Sequence, residues 1–308
     1  MKWQQSGWLR IMDALAVCLV LAGCLWLAAR PTPSATPPKP AVEQRLVKDM
    51  EDREISVPAQ PCRMISFCSS ATVAIVKIGA GDTLVAVDDY SRQVPGAEQK
   101  TSLGKTSSLS REQLLALQPD LAFVWWYQDP LAKELEALSV PVVRIHCRRA
   151  AEIPSLLRLV ALASGHPGGA DALAQSVEAF FASHARPATG QRPVVYLELY
   201  SPGKTGGPGT YVDDLIALAG GTNAAAGLPG YGILSPEELV RLDPDIILVA
   251  GPAACSGELE RRPGLAQTKA MRHRQVHSLD ASWLTVGPGL PETVAQLEAW
   301  ILNSTKGQ

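Results

Sequence analysis

Leu109-Ser110-Arg111-Glu112-Gln113-Leu114-Leu115-Ala116-Leu117-Gln118-Pro119-Asp120 runs into the apolar stretch Leu121-Ala122-Phe123-Val124. Further on, Leu234-Ser235-Pro236-Glu237-Glu238-Leu239-Val240-Arg241-Leu242-Asp243-Pro244-Asp245 runs into Ile246-Ile247-Leu248-Val249. Each copy reads as a short helix, a proline stop and a buried strand. Ser110 with Gln113, and Ser235 with Glu238, fit a capping box. Pro236 stands at a first helical position, where its missing donor costs nothing. Glu112 and Glu237 fall in the first turn, at the positive end of each helix. Repetition of one helix–strand unit within 308 residues predicts two similar α/β lobes, and two lobes imply a cleft.

Working outward, the flanking segments alternate in the same way. Arg63–Phe67, Leu84–Val87 and Pro141–Ile145 read as strands around the first copy, with helices over Ala71–Ile78 and Pro130–Leu138. Pro193–Leu199 and Val276–Leu279 read as strands around the second, with helices over Tyr211–Ala219 and Pro291–Leu302. Short βα connections predict mainly parallel sheets. Between the halves, Leu173, Val177, Phe180 and Phe181 recur at near-helical spacing and predict one long, rigid helix over Ala170–Ala185 that limits relative motion of the lobes.

The N-terminus reads as an export segment. Lys2 and Arg10 precede an apolar run from Ile11 to Ala29, broken only by Asp13. Leu21-Ala22-Gly23-Cys24 resembles a bacterial lipoprotein cleavage box, with Cys24 the lipidated residue. An uncleaved membrane helix is the competing reading, since the run is long enough to span a bilayer. Residues 30–42 are proline-rich and extended. The expected division is a signal at 1–23, a tether at 24–48, a first lobe at 49–150, a helical connection at 151–190 and a second lobe at 191–308. Of the remaining cysteines, Cys62, Cys68, Cys147 and Cys255 are expected as buried free thiols. Cys62 and Cys68 bracket a strand and stand too far apart to bridge. A net charge of -2 gives no global attraction to nucleic acid, so no nucleic-acid partner is expected.

Arg63–Phe67, Ser69–Thr72, Ile78–Asp82, Leu117–Asp120, Thr210–Ile216, Leu218–Asn223 and Leu242–Ile246, in this order and spacing, resemble the substrate-binding proteins of bacterial ABC importers for metal chelates, of the cobalamin, haem and iron-siderophore type. The resemblance runs from about residue 55 to the end. It implies two α/β lobes bridged by one long helix, a chelate held between them and no catalysis. It further implies delivery to a permease with a cytoplasmic ATPase, by a monomer tethered outside the cytoplasmic membrane on its periplasmic or extracellular face. The periplasmic face of an outer membrane is a further location. In cobalamin-type relatives one acid per lobe docks onto permease arginines, and Glu112 and Glu237 stand at those positions. The stretch Ser70-Ala71-Thr72-Val73 departs from the family's pattern, which has glutamate where Val73 stands. No arginines follow Trp283, which points away from strongly anionic siderophores and toward a corrinoid or another weakly charged chelate.

Ligands of parallel α/β sheets bind beyond the carboxyl ends of the strands. Seven of the seventeen Trp, Tyr and Phe residues gather at such loops: Tyr90, Trp125, Trp126, Tyr127, Tyr200, Tyr231 and Trp283. Flat rings with a polar edge suit a macrocyclic chelate. On extended backbone at most one of the adjacent tryptophans is expected to face the cleft. Ser69 is added on the resemblance. The five histidines, 146, 166, 184, 273 and 277, form no dense ligand motif, so no protein metal site and no cofactor are expected, and the metal would arrive with its own chelator. Haem or a ferric siderophore is the alternative ligand. A surface sensor without a transport role and an α/β cleft enzyme are the alternative functions; no local nucleophile motif supports the enzyme.

Overall fold

The structure is a computed structural model and describes residues 43–105, 109–184, 192–250 and 258–306. The signal, the cleavage box with Cys24, most of the tether, and Cys255 lie outside the described residues. The described residues belong to one compact unit.

The first lobe opens with an antiparallel hairpin of β1 (Gln44–Lys48) and β2 (Glu54–Pro58). β1 lies inside the stretch that the sequence assigned to the tether. Val47 is its buried residue, and the first lobe therefore includes residues before 49. Then come β3 (Met64–Ser66), α1 (Ser69–Lys77), β4 (Leu84–Val87), β5 (Thr101–Ser102), α2 (Arg111–Leu117), β6 (Leu121–Trp125), α3 (Asp129–Ala137) and β7 (Val142–Ile145). The five strands form an all-parallel sheet in the order β5-β4-β3-β6-β7.

The connection holds two helices, α4 (Ile153–Ala163) and α5 (Asp171–His184), where the sequence had drawn one. α5 is the expected long helix, with Ala174 and Val177 buried and Phe180 and Phe181 packed on the core. The second lobe contains β8 (Val194–Glu198), β9 (Lys204–Gly206), α6 (Tyr211–Leu218), β10 (Thr222–Asn223), β11 (Tyr231–Ile233), α7 (Pro236–Leu242), β12 (Ile246–Ala250), the short α8 (Lys269–Arg272), β13 (Val276–Leu279) and α9 (Leu290–Lys306). Its parallel sheet runs β10-β8-β12-β13, beside a small antiparallel ribbon of β9 and β11. Both sheets are buried, so their central strands read as continuous apolar runs. One hydrophobic cluster continues from Val47 through both lobes to Ile301, while two smaller clusters fill the outer sides of the two sheets.

The repeated stretch folds the same way twice. Ser110 and Ser235 both close capping boxes. Gln118 and Asp243 both end their helices in the left-handed region, at φ 46° and 44°. The aspartate after each proline then clamps the neighbouring strand. Asp120 accepts from the backbone N–H groups of Cys62 (2.7 Å) and Arg63 (3.0 Å). Asp245 accepts from Val194 N (2.8 Å). The Pro-Asp pair is therefore a register device joining β3 to β6 and β8 to β12.

Candidate functional site

The carboxyl ends of the parallel strands converge on a cleft. It holds a cavity of about 580 Å³ and a smaller neighbour of about 240 Å³, and Ser69, Trp125, Tyr127, Tyr200 and Thr285 line both. Each contributing loop follows a strand: Ser69 after β3, Tyr90 after β4, Trp125 to Tyr127 at the end of β6, Tyr200 after β8, Thr285 after β13. Both lobes thus supply walls. The combined space suits a ligand larger than a bare ion or a single amino acid.

Aromatic rings make up much of the lining. Tyr90 (67% exposed), Tyr127 (62%) and Tyr200 (71%) present open faces in the larger cavity, and Tyr231 (51%) does so in the smaller one. Trp125 and Tyr127 lie nearly parallel, 9° apart with centroids at 6.3 Å. Trp126 meets Tyr127 edge-on at 4.9 Å and stacks on His146 at 4.6 Å. The expectation that only one tryptophan reaches the cleft fails, since both line the smaller cavity. The chain turns directly after β6: Gln128 donates its backbone N–H to Trp125 O (3.0 Å) and its side-chain oxygen accepts from Trp125 N (2.9 Å). Trp125 is still the last paired residue of β6, and the turn takes Trp126 off strand geometry, so the two side chains no longer alternate.

Trp283 departs from expectation in the other direction. It lines neither cavity and packs against the core, stacked on Trp300 of α9 at 6.2 Å. The same turn instead offers Ser282 and Thr285 to the larger cavity.

Phenol acidity is suppressed in the cleft. Partial burial, followed by nearby thiol, carboxyl and phenol groups, pushes Tyr127 up to about 12, and burial raises Tyr200 and Tyr231 as well. These tyrosines are neutral hydrogen-bonding rings at physiological pH. Asp88 borders the larger cavity and is almost wholly buried; its carboxylate accepts from Ser91 N (2.9 Å), and desolvation raises its pKa. Cys68 caps α1 by accepting from Ala71 N (3.4 Å), and Cys147 lines the smaller cavity. Burial raises both thiols, so each rests as a neutral thiol in the cleft. Cys62 is exposed, contrary to expectation, because it precedes β3 at the edge of the lobe.

Several lining groups escaped the sequence reading: Asp88, Gln93, Gln128, Arg148 and Ser70. Arg148 is the consequential one, a cation at the cavity that the loop after Trp283 does not supply. The motif that placed Trp125 predicted that loops after other strands would also contribute, but nothing in His146-Cys147-Arg148-Arg149 distinguished which arginine faces inward. Val73 lies opposite Gly287 of the second lobe, where a methyl added to the glycine would sit 3.6 Å from a Val73 methyl. Room for one methyl group thus remains between Val73 and Gly287.

Glu112 and Glu237 lie away from these cavities, exposed in the first turns of α2 and α7. Ser110 Oγ donates to Glu112 (2.7 Å) and holds its carboxyl below the usual range. Among the described residues no three His, Cys, Asp or Glu side chains gather to hold a metal ion.

The model of the periplasmic binding protein family matches residues 66–282. An uncharacterised ABC transporter substrate-binding lipoprotein of Bacillus subtilis (strain 168) is 24% identical across 99% of both chains. A vitamin B12-binding protein of Pectobacterium carotovorum is 27% identical over 63% of this chain and 72% of its own length. The crystal structure of a periplasmic heme-binding protein from Pseudomonas aeruginosa superposes with a TM-score of 0.72 at 29% identity, covering 79% of this chain and 94% of the other.

Proposed function

This chain belongs to the periplasmic binding protein family, and from that premise we propose that it is the extracytoplasmic solute-binding component of an ABC importer for a metal chelate, with a corrinoid such as cobalamin as first choice. The observation that carries the reading is the cleft between lobes, walled by Trp125, Tyr127, Tyr90 and Tyr200. Apolar ring faces bury a planar macrocycle, and neutral hydroxyls and amides at their edges serve its polar periphery. A chelate brings its own donors, which suits a site whose residues offer no converging ligand set. Similarity to a vitamin B12-binding protein supports the same choice.

Haem is the second reading, favoured by the likeness to a heme-binding structure and by Arg148, which could face an acidic substituent. Cys24 would anchor the protein by lipid at the outer face of the cytoplasmic membrane. Glu112 and Glu237 would dock it to the permease, one acid from each lobe. Visible-spectrum titration of the purified protein with cyanocobalamin, haemin and a ferric siderophore tests the assignment. Saturable submicromolar binding of cyanocobalamin is expected, and failure to bind any of the three would remove the chelate reading.

A further inference from the structure

The smaller cavity differs chemically from the larger. Its floor is apolar, with Cys147, Leu284 and Val286, yet Arg148, Ser70 and Tyr231 also line it. The loop carrying Arg148 is pinned. Glu152 accepts from the backbone N–H groups of Arg148 (2.6 Å) and Arg149 (2.9 Å). The Arg149 guanidinium is committed to Asp214, with Nε at 2.8 Å and 3.0 Å from the two carboxylate oxygens. The Arg148 guanidinium, by contrast, has no ion-pair partner among the described residues and keeps all of its donors. Ser70 points the same way. It is fully buried at the start of α1, and its Oγ has no hydrogen-bond partner among the described residues. A buried hydroxyl without a partner is costly, and an entering acceptor would relieve that cost. A solvated surface arginine would account for Arg148 alone, but it leaves the Ser70 hydroxyl unexplained.

We propose that the smaller cavity is an oxyanion subsite, in which Arg148 and the hydroxyls of Ser70 and Tyr231 take one acidic arm of the bound chelate. The inference rests on the chelate reading above and narrows it to ligands with a negative substituent reaching past Trp125 and Tyr127. A carboxylate arm on a tetrapyrrole and a phosphodiester arm on a corrinoid share this chemistry. The Tyr231 phenol, neutral at physiological pH as any ordinary phenol is, can donate to such a group. Arg148 is exposed, and a charge-assisted bond from its unpaired guanidinium to such a group is roughly twice as strong as a neutral one.

The test compares ligands with and without the acidic arm, called charged and neutral members for that arm alone. Wild-type protein is titrated with haemin against its dimethyl ester, and with cobalamin against cobinamide, which lacks the whole nucleotide, its phosphate included. The charged member of one pair is expected to bind roughly 10- to 100-fold more tightly, and which pair shows the preference identifies the source of the anion. Arg148→Gln should erase most of that preference while leaving the neutral member's affinity in place. Arg148→Lys should restore part of it, and Ser70→Ala should reduce it by a smaller factor. Equal binding of charged and neutral members by the wild type would overturn the subsite and leave the chelate reading standing. An equal loss for both members in Arg148→Gln would likewise overturn it, as the mark of a structural role. Absence of binding to all four would overturn the subsite together with the chelate reading.

Discussion

At the residue scale, the seven aromatics marked in the sequence separate by where their faces point. Tyr127 and Tyr200 project into the cleft and contribute little to the core, so their removal should act on ligand and not on folding. Tyr127→Ala and Tyr200→Ala are each expected to weaken chelate binding by roughly 5- to 20-fold, with melting temperature nearly unchanged. Trp283→Ala should do the reverse. Loss of its stack on Trp300 and its contact with the core should cost about 2–3 kcal/mol in urea unfolding and leave affinity intact. Composition and loop position showed which residues gather at the strand ends. They did not show side-chain direction, because direction depends on the turn at Trp125–Gln128 and on α9, which comes later in the chain. Asp88 was missed for a related reason: its desolvation comes from elements distant in sequence. Its carboxyl is raised above the ordinary range, so the folded protein holds this proton more tightly than the unfolded chain does. Native stability therefore falls as pH rises from the ordinary carboxylate value through the raised one. Asp88→Asn keeps an oxygen acceptor for Ser91 N without the buried charge. It should raise the melting temperature at pH 7 by on the order of 1–3 °C, with the gain vanishing at acid pH, as followed by calorimetry.

The elements were the most legible level, since a capping box, a proline stop and an apolar run act locally. Boundaries of the helices and strands around the repeats moved by only a residue or two, except that α9 runs four residues beyond its expected end, to Lys306. The strands that were missed, β1, β5, β10 and the ribbon of β9 and β11, are short or edge pieces whose pairing is set by tertiary contact. The role of the repeated aspartates was invisible as well, because their partners lie 50 or more residues away. Asp120→Ala should destabilise the first lobe by about 1–2 kcal/mol, since two backbone donors lose their acceptor together. The helix ends give a sharper contrast. Gln118 and Asp243 share a left-handed conformation that glycine adopts more readily. Gln118→Gly should therefore be neutral or stabilising by up to about 1 kcal/mol. Asp243→Gly should be destabilising, because Asp243 also accepts from Lys269 N (2.8 Å) and holds α8. Urea denaturation of both variants checks the pair; equal effects would show that the two helix ends are alike after all.

At the scale of the whole molecule, the duplicated unit places an exposed acid at the same position of an equivalent helix head in each lobe. Glu112 and Glu237 occupy the first turns of α2 and α7, outside the cavities, so ligand and partner would meet different faces of the protein. The lobes do not present these acids independently. The continuous core and the Arg149–Asp214 pair, which joins the loop after β7 to α6, tie the halves together. Asp214 also accepts from Ala150 N (2.7 Å). The spacing of the two acids is thereby fixed in advance, and a partner with two matching cations would lose little entropy in engaging both. Two charge contacts on one rigid body act as a bivalent attachment, so loss of one should weaken docking and loss of both should abolish it. Glu112→Lys and Glu237→Lys are each expected to reduce binding to the importer's permease by roughly tenfold or more. The double reversal should leave no measurable binding and no stimulation of the ATPase, while chelate affinity stays at the wild-type value. Permease reconstituted in nanodiscs and titrated with ligand-loaded protein reads all three variants. Normal docking by the double reversal would show that the matching acids serve only their own helices.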